Sequence, residues 1–358
     1  MATIDEYLSP VDIRDAHVLT RIVERRVAES ENWDIPFCPI NSTSSRRVKL
    51  KVRHTDGAGL AAFKAENANT PIVAAGGDLT EVYLELLLLA EKAGIKASDM
   101  IQLQSPDPNI ARTQAAEITA KATRLRQRNI NRTKWMAWQA VRDALTITYP
   151  DTTTIAVDFD LNADAQNEWF GATHLATVST AWSTVSSDIE GDVYAGAHRI
   201  AEDLGVAEGD CILYVSSTTW RNMRKNTALK AELSTYQPRV LTATMDEVVQ
   251  ILGIKAIRIY NDFYVTSSSG TDTKNKFLGD GHVLLTGPET VNGDPIMEVL
   301  DGPIAYVENG QIRVMNNPGA QSEIYVNEEQ IAANVRVQTS RIPIINYPAA
   351  FYWLDIDP

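Results

Sequence analysis

Residues 109–145 read NIARTQAAEITAKATRLRQRNINRTKWMAWQAVRDAL and contain neither proline nor glycine. An unbroken run of this kind predicts one α-helix on the order of 50 Å long, well above the average for globular proteins. Apolar or small residues recur at Ala111, Ala115, Ile118, Ala122 and Leu125. After a shift of phase the run continues at Lys134, Trp138, Val141 and Leu145, with Lys134 as its one break. The first half is a thin stripe; the second is broad and aromatic, with Trp135, Met136 and Trp138. A thin stripe suits a helix lying across a sheet or surface rather than one buried all round. The segment is also basic. Arg112, Lys121, Arg124, Arg126, Arg128, Arg132, Lys134 and Arg142 stand against Glu117 and Asp143. A solvated helix face explains such a run most simply. An electrostatic seat for an acidic partner, such as a neighbouring subunit, a scaffold or packaged nucleic acid, is the sharper alternative. Just beyond it, Ile155–Leu161 (IAVDFDL) alternates as a strand.

Toward the N-terminus, residues 46–54 read RRVKLKVRH. Val48, Leu50 and Val52 fall on one face and Arg47, Lys49, Lys51 and Arg53 on the other, a period of two that predicts a strand. Gly57 and Gly59 mark a turn, an extended stretch runs to Gly76-Gly77, and Leu79–Leu86 alternates again. A two-stranded ribbon with a charged face has little core of its own and needs something to pack on, unless it is an ordinary edge hairpin. Before it, residues 2–30 read as helix, with Ser9 as cap and Pro10 in the first turn, and Pro36 and Pro39 end the pattern. A short N-terminal segment of this kind docks on a neighbour or stays mobile.

Toward the C-terminus, helices and strands alternate. Asp188–Leu204 reads as helix stopped by Gly205, Cys211–Val215 as a buried strand, and Ser217 or Thr218 as the cap of a helix running to Leu233. Met245–Leu252 is a helix ended by Gly253, followed by strands at Ala256–Tyr260 and Phe263–Thr266. The predicted class for this stretch is mixed α/β. Ser267–Thr273, including Ser268, Gly270 and Asp272, reads as a flexible loop tip. Residues 296–358 are strand-rich apart from a helix-leaning EEQIAANVRVQ, and end on an aromatic strand, YPAAFYWLDI.

Composition excludes more than it names. The 358 residues fit two or three domains, with 44% hydrophobic and 22% charged residues. No apolar run approaches the roughly 20 residues that span a bilayer, and no secretory signal opens the chain. Two cysteines, Cys38 and Cys211, make no disulfide framework. A net charge of −13 argues against a protein that coats nucleic acid with its whole surface.

No catalytic constellation stands out, and no cofactor or metal site is expected. His17, His54, His174, His198 and His282 are scattered without ligand spacing, and phosphate-cradling glycine loops and a GxSxG elbow are absent. Asp158 and Asp160 share one strand face and could hold a cation, although a solvated outer face is the simpler reading. A chain that combines an arm, a ribbon and a long helix with a compact α/β insertion, and no active site, suggests an assembly subunit.

The element order resembles that of the major capsid proteins of tailed bacteriophages, an α+β architecture known as the Johnson fold, and is most similar to the lambda-type family. Three stretches carry the likeness: MAWQAVRDAL leading into IAVDFDL; Trp182 and Asp188-Ile189 followed by CILYVSSTTWRNMRKNTALKAEL; and GHVLLTGPE followed by NEEQIAANVRVQTSRIPIINYPAAFYWL. The resemblance implies an N-terminal arm over 1–45 and an extended β-loop over 46–108. It further implies a spine helix with the first peripheral strands over 109–184, an axial domain over 185–290, and a return to the peripheral domain over 291–358.

Implied functions follow. Copies of the chain would form pentamers and hexamers that close an icosahedral shell around double-stranded DNA, which the shell contacts weakly. The loop carrying Arg47, Lys49, Lys51, Arg53, Gly57, Gly59, Gly76 and Gly77 would reach over a neighbour. The helix face of Lys121, Arg124, Arg128 and Arg132 would meet scaffold or genome, and the loop at Ser268, Gly270 and Asp272 would lie near the symmetry axes. A scaffolding protein, a decoration protein and a portal at one vertex are the implied partners. Membranes are not. Because the sequence opens at Met1, a separate scaffold is expected rather than a fused one. Crosslinking between Lys49, Lys51 or Lys64 and Asn309, Asn316, Asn317 or Asn346 is disfavoured, since such residues occur by chance. The expected location is the virion, after assembly in the host cytoplasm. Two rival readings are an encapsulin-like compartment and a soluble α/β enzyme using Asp158, Asp160 and His174.

Overall fold

A computed structural model describes residues 19–23, 33–52, 80–103, 105–142, 144–148, 154–158, 173–236, 244–268, 271–308, 311–315, 319–327 and 332–357. The described residues begin with a helical turn at 19–23, then β1 (Ile40–Ser42), β2 (Arg47–Val52), β3 (Thr80–Glu85) and β4 (Leu87–Ile95). Helices α1 (Ala97–Leu103) and α2 (Pro108–Ala140) follow, then β5 (Ala144–Thr148), β6 (Thr154–Asp158) and β7 (Leu175–Thr177). Next come α3 (Ile189–Leu204), β8 (Ile212–Val215), α4 (Ser217–Met223), α5 (Thr227–Tyr236) and α6 (Met245–Leu252). The rest is extended: β9 (Ala256–Ile259), β10 (Phe263–Ser268), β11 (Thr271–Lys276), β12 (His282–Thr286), β13 (Thr290–Val291) and β14 (Asp294–Pro295). It continues through β15 (Met297–Asp301), β16 (Ile304–Glu308), β17 (Gln311–Met315), β18 (Gln321–Asn327), β19 (Ala332–Ile345) and β20 (Phe351–Asp355).

The chain divides into two compact units, the first made of residues 1–49, 83–135 and 299–343, the second of 50–82, 136–298 and 344–358. In the first, a sheet runs β1-β15-β19-β18, with β4 also paired to β19. The N-terminal half of β19 is antiparallel to both neighbours, Val335 lying opposite Ile324 of β18 and Ala93 of β4. On that sheet lies α2. The predicted thin stripe is its buried face: Ala115, Ile118, Ala122 and Leu125 pack with Ile95, Ala333, Val335 and Val337. Alanine in this stripe lets the helix axis approach the sheet closely. Leu19 and Val23 enter the same core. The Thr20 hydroxyl donates to the Ser322 carbonyl at 3.0 Å and accepts from its N–H at 2.8 Å. This part of the N-terminal segment is therefore seated in its own subunit.

Three expectations for this region change. The helix ends at Ala140, not Leu145, and Ala144–Thr148 is a strand antiparallel to Thr154–Asp158. The β-branched run of ALTIT prefers a pleated surface, and a hairpin partner follows within six residues. The segment 46–108 is only partly ribbon, because β4 and α1 lie in the first unit, with Leu103 in its core. The helix-leaning residues 328–338 enter the central strand β19 from Ala332 onward, where pairing on both sides overrides local propensity.

The second unit is built on a sheet ordered β7-β20-β12-β8-β9. The aromatic C-terminal strand thus returns to this unit, antiparallel to β12 and parallel to β7. Its side chains Phe351, Trp353 and Leu354 are too apolar to leave at an edge. Over the sheet lies α3, capped by Asp188 and ended, as the sequence predicts, by Gly205 at φ 71°. A Cβ on Gly196 of this helix would come within 2.7 Å of the Tyr352 ring. The predicted helix from Ser217 to Leu233 is two helices. Ser216 caps α4, and the Asn226 side chain caps α5 by accepting from Ala228 and Leu229.

Candidate assembly surfaces

Four surfaces could carry contacts between copies. The ribbon β2–β3 forms a two-stranded sheet of its own. At its base Leu86 N–H donates to the Arg46 carbonyl at 3.0 Å, and Arg46 pairs with Glu85 at 3.0 Å where both are more than half exposed. Such a surface pair adds little stability. Arg47 is exposed, and Lys49 and Lys51 lie in β2. Arg53, Gly57, Gly59, Gly76 and Gly77 lie outside the described residues.

The four cations singled out on the long helix fare differently. Arg128 forms a two-pronged pair with Glu91 of β4, at 2.6 and 2.9 Å, which holds its guanidinium pKa above the usual value. Lys121 reaches the Gly94 carbonyl at 3.4 Å and Asp99 at 3.8 Å. Arg124 and Arg132 are exposed, the latter with its guanidinium 4.2 Å from the Trp135 ring centroid. Half of the basic face is thus committed to strapping α2 to β4 and α1. Lys134, the break in the apolar run, is 3% exposed and pairs with Asp34 at 3.0 Å. The supposed phase shift is a polar continuation of the stripe. Asn129 and Thr133 are buried, Asn129 reaching the Val337 carbonyl at 3.5 Å and Thr133 back-bonding to the Asn129 carbonyl at 2.9 Å. Hydrophobicity alone does not reveal such positions.

The expected loop tip at Ser267–Thr273 is instead the end of a hairpin. Ser268 lies opposite Thr271 and Ser267 opposite Asp272, while Gly270 lies outside the described residues. Backbone pairing extends to the tip because the polar residues TSS and TDT can still form a ladder. On one face Phe263 and Val265 are 47% and 50% exposed, with the Lys274 ammonium 5.1 Å from the Phe263 ring. On the other, Tyr264 packs on Phe277 at 5.0 Å and Asn275 donates to the Thr266 hydroxyl at 2.8 Å.

The fourth surface is a ridge on α3, where Glu190, Tyr194, His198 and Glu202 follow at four-residue spacing. Tyr194, 54% exposed, stacks on the His198 ring at 5.7 Å and 8°. His198 contacts Glu208 at 2.7 Å and Glu202 at 3.3 Å, and the bond to Glu208 raises its pKa. Burial, then Glu232 and Asp188, push Glu190 upward.

His174 is fully buried between the Phe351 carbonyl at 2.7 Å and Asp203 at 2.9 Å, and Asp203 also pairs with Arg199. His282 lies 3.6 Å from Asp355. Asp158 lies opposite Ala144 at the end of the β5–β6 hairpin, and His17, His54 and Asp160 lie outside the described residues. Cys38 and Cys211 are buried, and burial pushes the Cys211 thiol up to about 12. Asn346 donates to the Pro295 carbonyl at 3.0 Å and to Glu298 at 3.3 Å. Among the described residues no group of three or more His, Cys, Asp or Glu could hold a metal ion. No described helix is long and apolar enough to cross a membrane.

Comparison with known families gives one decisive match, to phage major capsid protein E over residues 39–296. The chain belongs to that family. It is a shell-forming capsid protein of the virion, a structural protein that assembles with copies of itself. No curated protein matches it. Two solved structures share the fold of this capsid protein. One, described as a prophage capsid protein of E. coli CFT073, is 14% identical with a TM-score of 0.55, covering 96% of this chain and 99% of its own. The other, a phage-related protein from Bordetella bronchiseptica RB50, is 13% identical with a TM-score of 0.53, covering 96% and 98%. The capsid protein is thus α+β with the Johnson fold that the sequence implied.

Proposed function

We propose that this capsid protein builds an icosahedral shell from pentamers and hexamers around a double-stranded DNA genome, without a catalytic step of its own. The supporting observation is that β2–β3 and β10–β11, two of the five two-stranded ribbons among the described residues, pair with no larger sheet. Two-stranded ribbons are at best marginal alone and gain from packing on another molecule. In this reading the β2–β3 loop reaches over a neighbouring subunit, the hairpin at 263–276 lies toward the symmetry axes, and α2 belongs to a peripheral region. Several modest heterologous contacts per copy then compound by multivalency. A scaffolding protein, a decoration protein and a portal at one vertex complete the partners, with assembly in the host cytoplasm.

Arg124 and Arg132 are exposed cations of the basic helix, suited to an acidic scaffold or to softening repulsion between the net −13 wall and the genome. Negative-stain electron microscopy of the protein, produced with its neighbouring genes, tests the proposal. Closed shells with five- and six-fold rings are expected. A dimer or tetramer that never assembles would overturn it.

A further inference from the structure

The hairpin β10–β11 leaves one face uncovered. Antiparallel register places Phe263 opposite Lys276 and Val265 opposite Lys274, so these four side chains share that face. Lys276 is engaged by Asp280 at 2.5 Å, whereas Lys274 stands over the Phe263 ring. The outcome is an apolar strip with a cation on top. Water is a poor cover for two half-exposed hydrophobes side by side on a narrow ribbon.

The α3 ridge presents the opposite chemistry: an exposed aromatic pair, Tyr194 on His198, fringed by Glu190, Glu202 and Glu208. Glu190 also faces Glu232, a carboxylate against a carboxylate, which an incoming cation would relieve. Because both faces belong to the second unit, every copy carries both.

We infer that the Phe263–Val265–Lys274 face of one copy docks on the Glu190–Tyr194–Glu202 ridge of a second copy, apolar side chains on Tyr194 and the ammonium among the carboxylates. The inference rests on the shell-forming reading and names a contact within it. A contact between two different surfaces of identical subunits is head-to-tail, the kind that closes rings.

Charge reversal and its compensation test this directly, with shells counted by electron microscopy and soluble species sized by gel filtration. Lys274→Glu, and separately the double change Glu190→Lys with Glu202→Lys, should each lower shell yield about tenfold or more, the effect of losing ~1.4 kcal/mol per contact. Combining the three should restore most of the yield. Phe263→Ser with Val265→Ser should lower the yield in the same way. All five positions are on the surface or partly so, and unchanged thermal unfolding of the unassembled variants would show that the subunit still folds. Wild-type yields from the single-face variants would overturn the contact, as would failure of the combined variant to recover. A wild-type chain that never forms shells would instead overturn the shell reading, and this contact with it.

Discussion

Asp301 and Arg341 form an ion pair in which both side chains are 3% exposed, with the guanidinium donating twice to one carboxylate oxygen at 3.0 and 2.8 Å. Removing one partner strands the other charge away from water. Asp301→Ala should therefore cost about 3–5 kcal/mol, while the double change Asp301→Leu with Arg341→Met should cost much less. Urea unfolding of the unassembled subunit measures both. His198 gives a pH signature. Its bond to Glu208 raises the folded pKa above 6.5, so its contribution to stability is full below the unfolded value and fades as pH rises through the raised one. An NMR titration should show the elevated midpoint, and Glu208→Gln should return it toward the ordinary value. The two buried thiols should stay inert to a thiol reagent until the subunit unfolds, since the thiolate is the reactive form and burial of Cys211 disfavours it.

At the scale of elements, α3 shows how a helix is fitted to its sheet. Gly196 faces Tyr352 and Leu285 where a methyl group would lie 2.7 and 3.2 Å from their side chains. Ring atoms cannot yield as a flexible chain end can, so Gly196→Ala should destabilise the subunit by about 1–3 kcal/mol despite the better helix propensity of alanine. A lowered thermal midpoint without loss of helical signal is the expected result. The long helix α2 makes the complementary case, with its alanines giving closeness and Lys121 and Arg128 giving straps. Arg128 is tied to Glu91, so reversing it would set two carboxylates together and mix a local effect on the subunit with any assay of assembly.

For the whole molecule, the useful charge test is Arg124→Glu, since that residue is exposed whereas Arg132 is engaged with Trp135. Assembly or packaging should fall while the subunit keeps its unfolding midpoint. Normal yields of filled particles would assign this arginine to solvation alone. Because a shell contact is repeated in every copy, a small loss per contact is amplified over the particle.

Much of this protein was legible in its residues. The helix stops at Gly205 and Gly253 followed from glycine standing just past the last periodic residue, where the backbone is left-handed at φ 71° and 62°, and the thin stripe of α2 followed from its period. Element order carried the capsid family, because long-range order survives where single motifs do not. The sequence could not say that Lys134 is buried against Asp34, that residues 332–338 are a central strand, or that 267–273 is a ladder instead of a loop. Each depends on a partner outside the segment being read: a carboxylate 100 positions away, two flanking strands, or the return strand of a hairpin. Local propensity is worth tenths of a kcal/mol per residue, and such partners outweigh it. Local pattern therefore determined the glycine stops and the buried stripe of the long helix, and the partners that only the tertiary structure brings together decided the remaining element bounds, which polar residues are buried and which faces are left open.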